Sequence, residues 1–142
     1  MPALERRQVP DYLLFQDEDT KEKAFSYELT DQYRSAISLL EAKKVNHPLD
    51  TVSKKETPGR FPHQQIRDYL SDATDQSGNP FFKWAILTNG GLWRLYNRDS
   101  RPSAYFEFKL AGQNYFCIYE DFKIFITLFR PEAFIATDDI CP

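Results

Sequence analysis

The sequence predicts an α/β fold, a mixed β-sheet flanked by helices, and three observations carry that expectation. Residues 9–43 run strand, helix, strand; Pro62 opens an amphipathic helix; and Asn89-Gly90-Gly91 joins two apolar segments as a hairpin. Strands that alternate with helices and then pair as a hairpin are the pattern of a mixed sheet covered by helices. At 142 residues and 42% hydrophobic content the chain can bury one core. It is too short for two full domains, so residues 1–142 are expected to form a single domain.

Val9-Pro10-Asp11-Tyr12-Leu13-Leu14-Phe15 reads as a strand, with proline only at its start, where a missing N–H is tolerated. Asp17-Glu18-Asp19-Thr20 places capping and acidic residues ahead of a helix that should continue toward Tyr33. In Ile37 to Lys43 the two-residue period of a strand puts Ile37, Leu39, Glu41 and Lys43 on one face. From Val45 to Arg60 no period is visible, which predicts a loop. Pro62 suits a first helical turn, and Gln65 and Tyr69, four apart, share a face of the helix that follows; it should fade by Ser77-Gly78-Asn79-Pro80. Phe82 to Thr88 and Leu92 to Tyr96 form the hairpin, with Asn89-Gly90 as a type I′ turn and the first arm apolar on both faces, hence central. Ala104 to Leu110 adds a strand. Glu120 to Phe129 and Pro131 to Ile135 read as core-packing helices.

Composition excludes several classes. No segment approaches the roughly 20 apolar residues that a membrane span requires, and the start of the chain has no apolar run behind Arg6-Arg7 to make a secretory signal. Cys117 and Cys141 are too few and too far apart for a zinc knuckle or a disulfide framework, so a reducing cytoplasm is expected. Net charge is −3, unlike a simple basic nucleic-acid binder, but it is unevenly spread. Residues 41–67 carry +3 and the remainder −6, so the positive field of Lys43, Lys44, Lys54, Lys55, Arg60 and Arg67 lies beside Glu41.

Glu41-Ala42-Lys43 is the stretch that carries chemistry. A strand that buries its aliphatic residues and then projects a carboxylate and an ammonium from one edge has little structural reason to do so. It reads as a metal-dependent site, with Asp11, thirty residues upstream, as the second carboxylate. Asp31, ten residues before Glu41, is a rival for that position, although in Thr30-Asp31-Gln32 it could cap a helix. His47 and His63 lack the tight spacing of metal ligands and read as polar or phosphate-side residues. Trp84, Trp93 and Tyr96 could stack on bases, but core packing suits their apolar neighbours better. Asn79-Pro80-Phe81-Phe82 is superficially like the catalytic motif of adenine methyltransferases; it lacks the second proline and reads as a turn.

Pro10-Asp11 followed by Glu41-Ala42-Lys43 is similar to the PD-(D/E)xK signature of the restriction-endonuclease-like superfamily, and Gln65-x-x-x-Tyr69 resembles the additional motif of its RecB-like branch. With Pro48-Leu49-Asp50 and the stretch from Trp84 through Tyr96, most of the chain resembles the N-terminal nuclease region of type IIG-like restriction–modification enzymes. The resemblance implies a restriction-endonuclease-like sheet and a Mg²⁺-dependent endonuclease acting on double-stranded DNA. It also implies a larger protein in which an adenine-N6 methyltransferase and a target-recognition domain follow, S-adenosylmethionine belonging only to the methyltransferase part. Only nine residues precede Pro10, so the upstream helix of such nucleases should be short or absent, with Glu5 the only nearby candidate for its acidic contact to the metal.

On that resemblance Asp11, Glu41 and the Ala42 carbonyl would ligate the metal, and Lys43 would orient the attacking water and balance charge. Gln65 would hydrogen-bond near the metal or the DNA backbone, and Tyr69 would brace it. Lys44, Lys54, Lys55, Arg60 and Arg67 would meet phosphates. Two alternatives stand beside this: a catalytically silent module of the same fold that docks DNA or the methyltransferase, and an unrelated α/β interaction domain.

Overall fold

A computed structural model describes residues 9–26, 32–50, 61–101, 103–112 and 114–134. Five strands form one mixed sheet in sequence order: β1 (Tyr12–Leu14), β2 (Ser38–Ala42), β3 (Trp84–Thr88), β4 (Leu92–Asn97) and β5 (Phe106–Lys109). β2 and β3 are parallel and the other neighbours antiparallel. The parallel pair needs a long crossover, and α2 (Pro62–Asp72) lies within it.

The helices begin where their side chains can satisfy free backbone N–H groups. At α1 (Glu18–Phe25), Asp17 Oδ1 accepts from the Thr20 hydroxyl at 2.5 Å and from Thr20 N at 2.8 Å, and these bonds, the hydroxyl's first, draw the Asp17 carboxyl below its usual range. The helix does not continue toward Tyr33 as expected. It ends at Phe25, where Ser26 Oγ donates to the Lys23 carbonyl and competes with the next turn, and the chain reaches β2 through a 3₁₀ turn over Tyr33–Ser35. α2 starts at Pro62, where no N–H is required, and Gln64 Oε1 reaches back to Phe61 N at 3.0 Å.

The sheet is covered on both sides. Leu39, Ala85, Leu87 and Tyr96 pack with Ile66, Tyr69 and Leu70 of α2, together with Tyr33, Leu49 and Phe82. On the other side Ile86 and Leu95 meet Phe134, with Leu14, Leu40, Trp84, Trp93 and Phe129 around them. β3 is therefore central and buried along Ala85–Thr88, and Trp84, Trp93 and Tyr96 are packing residues. Ile37 departs from the expected alternation: it packs with the second cluster, because a bend at Ile37 precedes β2 and the two-residue period begins only at Ser38.

The hairpin forms, but not through a type I′ pair at Asn89-Gly90. Among the described residues of this turn only Gly90 has a positive φ, +91°, so Asn89 is free to cap it: its Oδ1 accepts from Gly91 N at 3.2 Å and Leu92 N at 2.8 Å. Gly91 is required for a different reason. A Cβ there would stand 2.3 Å from the Ala111 carbonyl oxygen, and the Gly91 carbonyl accepts from Leu110 N at 2.8 Å.

Beyond β5 a two-stranded ribbon, β6 (Ala111–Gly112) and β7 (Tyr115–Phe116), was not expected; two-residue strands carry no periodic signal. Helix α3 (Tyr119–Phe129) and the short α4 (Pro131–Phe134) follow; α4 packs on the core through Phe134, as expected, whereas for most of α3 the expectation of core packing is corrected. Only Phe125 of α3 is buried, within 5.4 Å of the ring centroids of Trp93, Phe108 and Phe129, while Tyr119, Phe122, Ile124 and Ile126 are exposed. Glu120, Lys123 and Thr127 share one side of α3, and its sequence marks the apolar arc opposite them without disclosing how much of that arc will be covered.

Candidate functional site

β-Sheet register brings the two carboxylates together. Tyr12 pairs with Leu40 in the antiparallel β1–β2 ladder, so one step further Asp11 falls opposite Glu41. Two bonds cross that step: Asp11 N donates to Glu41 Oε2 at 3.2 Å, and Ala42 N donates to Asp11 Oδ2 at 2.9 Å. Lys43 N then donates to the Thr88 carbonyl at 2.8 Å, which prolongs the parallel ladder past Ala42 and keeps Lys43 on the face of Glu41.

The side chains continue as a circuit. Lys43 Nζ donates to Glu41 Oε1 at 3.2 Å and to Gln65 Oε1 at 2.9 Å. Gln65 Nε2 donates to the Tyr69 hydroxyl at 2.9 Å, and that hydroxyl donates to the Val9 carbonyl at 3.0 Å, two residues before Asp11. Helical spacing sets Gln65 above Tyr69, strand spacing sets Glu41 beside Lys43, and the hydroxyl closes the loop back to the start of β1.

Burial grades across this circuit. Asp11 is exposed, whereas the side chains of Lys43 and Glu41 keep only 6% and 7% of their accessible surface. Burial raises the Glu41 carboxyl above its usual range, the charge of Asp11 adds to the rise, and the Lys43 ammonium opposes it. The Tyr69 hydroxyl is raised too, by burial and by the field of Glu41, and stays a protonated donor. The site is thus a buried carboxylate short of positive charge, with an open carboxylate at its rim.

Other expected residues fall elsewhere. Lys44 is exposed at the end of β2, and Arg67 lies on another side of α2, where its guanidinium donates to the carbonyls of Asn97 at 2.5 Å and Arg101 at 2.6 Å. That guanidinium pins the turn after β4. Asp31, Lys54, Lys55, Arg60 and Glu5 lie outside the described residues. His47 is half-buried with Nδ1 2.7 Å from the Pro48 carbonyl, and His63 stacks against Phe61.

Two supports were not foreseen. Asn89 Nδ2 donates to the His47 carbonyl at 2.9 Å, fastening the segment that leaves Lys43 to the hairpin turn. Arg94, across β3 from Glu41, is 4% exposed and binds both oxygens of Asp50, at 2.8 and 3.0 Å, and Glu107 at 2.6 Å. An arginine in the middle of an apolar strand arm was the signal for it.

Among the described residues no group of three or more His, Cys, Asp or Glu side chains could cage a metal ion. Mg²⁺ does not need such a cage, because it binds through one or two carboxylates and keeps its remaining positions for water and phosphate oxygens. A buried carboxylate held up in pKa beside a second carboxylate fits that donor set, and a divalent cation would relieve the repulsion. Comparison of the chain with family models, with curated proteins and with solved structures finds no match in any of the three.

Proposed function

We propose that the chain is a Mg²⁺-dependent DNA endonuclease module with a restriction-endonuclease-like fold, hydrolysing phosphodiester bonds within a larger restriction–modification enzyme. The observation that carries this reading is the closed circuit from Asp11 through Glu41, Lys43, Gln65 and Tyr69 to Val9, which unites three segments of the chain in the order and at the strand and helix spacings of the motif. A structural salt bridge would need only Glu41 and Lys43. Asp11 takes no part in that salt bridge, yet its exposed carboxylate is held beside Glu41 by the bond from Ala42 N.

Asp11 and Glu41, with the Ala42 carbonyl, would hold the cation, which when bound supplies positive charge to the phosphate and an acidified water at neutral pH. Lys43 stands between Glu41 and Gln65, so its ammonium is fixed at the rim of the carboxylates rather than swinging in solvent. There it balances the charge that builds on the phosphate oxygens and orients the attacking water. Gln65 sets the ammonium, and Tyr69 sets Gln65 while tethering the backbone that carries Asp11. Residues that touch phosphate and water are thus placed by residues that touch neither.

The test is nicking of supercoiled duplex DNA by the protein with and without Mg²⁺, alongside Lys43→Ala. Nicking that requires Mg²⁺ and is lost in the variant supports the reading. Equal nicking by both proteins sinks it, and cation binding at Asp11 without nicking by either favours a silent docking module of the same fold.

A further inference from the structure

We infer that a groove beside Asp11 receives an unpaired nucleobase of the DNA strand whose phosphate lies at Asp11 and Glu41, an inference that rests on the nuclease reading. The groove, about 350 Å³, runs between β1, α1 and the 3₁₀ turn; its walls include Asp11, Tyr12, Phe15, Lys21, Phe25 and Tyr33. Its size is at the lower end of the roughly 300–1,000 Å³ of small-ligand sites.

Three features select a base. Tyr12 and Phe25 leave 60% and 67% of their surfaces open to water, although rings of this size are ordinarily covered, while Tyr33 at 4% is a fixed part of the wall. Aromatic and aliphatic walls offer a π-face to stack on and little to a phosphate; the cation among them, Lys21, is already paired with Glu18 at 2.9 Å. Asp11 belongs to both the groove and the carboxylate pair, so a phosphodiester at the pair brings its own nucleoside to the groove. The base must be unpaired, since a base inside a duplex has both faces covered by its neighbours. Stacking on a ring is tolerant of sequence, so the groove would favour frayed, nicked or flipped positions over a particular base.

The experiment titrates the full chain with a short single strand of DNA containing 2-aminopurine, and with the same strand fully paired, in Ca²⁺. The expected result is tighter binding of the single strand with quenched 2-aminopurine fluorescence. Tyr12→Ala and Phe25→Ala should each weaken that binding by roughly 5- to 100-fold, and Tyr12→Phe should restore it, because the ring and not the hydroxyl stacks. Unchanged affinity in both alanine variants, absence of quenching, or no measurable binding of the single strand overturns the inference. Nicking measured with Lys43→Ala separates the two claims. If nicking needs Lys43 while affinity ignores Tyr12, the groove fails alone; if affinity needs Tyr12 while nicking ignores Lys43, the nuclease reading fails alone and the base contact stands.

Discussion

Two buried charges stand on one face of the same sheet, and their surroundings differ in sign. Glu41 pairs with Leu87, Leu87 with Arg94 and Arg94 with Glu107, so the acid and the arginine occupy one cross-strand row, 5% and 4% exposed. Arg94 is surrounded by opposite charge: both oxygens of Asp50, one of Glu107, and the face of Tyr105 at 4.1 Å. Burial by itself would lower its pKa, but the bonds it donates to Asp50 and Glu107 outweigh that and raise it. Among the described residues Glu41 has one cation, Lys43, and one like charge, Asp11, and its pKa rises because burial first and then the charge of Asp11 outweigh what the Lys43 ammonium offsets. A buried charge whose partners complete it is scaffold. One left beside a like charge is poised for a cation or a proton.

Exchanging the two clusters' roles by mutation should expose that difference. The largest effect is expected at the frustrated one: Lys43→Ala and Glu41→Gln should each reduce Mg²⁺-dependent nicking by about 10²–10³-fold, read from initial rates on supercoiled DNA. Glu41→Gln should at the same time lower stability by about 1–3 kcal/mol, read from the denaturant midpoint, because it leaves the buried Lys43 ammonium without its carboxylate and gives Asp11 N and Lys43 Nζ one accepting oxygen where they had two. At the completed cluster the effect falls on stability alone. Arg94→Ala should lower stability by about 2 kcal/mol, through lost charged hydrogen bonds and lost packing on Tyr105, and leave cation binding by the folded protein unchanged.

A smaller effect is expected at the joint between site and scaffold. Tyr69→Phe deletes the hydroxyl that serves both Gln65 and Val9, and should cost about 1 kcal/mol in chemical denaturation. Nicking by the same variant should fall less than with Lys43→Ala, since Lys43 keeps its bond to Glu41.

The smallest effect, and the most diagnostic in sign, is the pH dependence. Glu41 is raised in the folded state, so its contribution to stability is full below its ordinary value and is lost as pH rises through the raised one. Asp50 is lowered, chiefly by its bond to Arg94, so its contribution is present above its ordinary value and is lost as pH falls through the lowered one. Melting temperatures of wild type, Glu41→Gln and Asp50→Asn across the acid range should therefore diverge in opposite directions. The stability of Glu41→Gln relative to wild type should rise toward neutral pH, and the Asp50→Asn deficit should shrink toward acid. Parallel curves would show that the two clusters do not differ.

Legibility in the sequence followed the range of the interaction. Glu41 and Lys43 on one face, Gln65 one turn from Tyr69, the capped start of α1 and Pro62 in the first turn of α2 are relations over one to four residues, and each is present as expected. The expectation fails at α3 and at the Asn89 turn for other reasons. The apolar arc of α3 is visible in its sequence, but how much of it is covered depends on the sheet beside it, and at the turn Asn89 Oδ1 accepts from Gly91 N and Leu92 N while positive φ falls on Gly90.

Local periodicity thus sufficed for the class of fold, for the central strand, and for the pairing of carboxylate, ammonium, amide and phenol by face, because side-chain direction is set by the few dihedrals between neighbours. The placement of Asp11 opposite Glu41 came from the register of β1 on β2, the tether of Tyr69 to Val9 from how α2 lies on the sheet, and the capture of Asp50 by Arg94 from a contact across 44 residues. Such contacts depend on burial, charge and register summed over the whole sheet, and no window of the chain contains them.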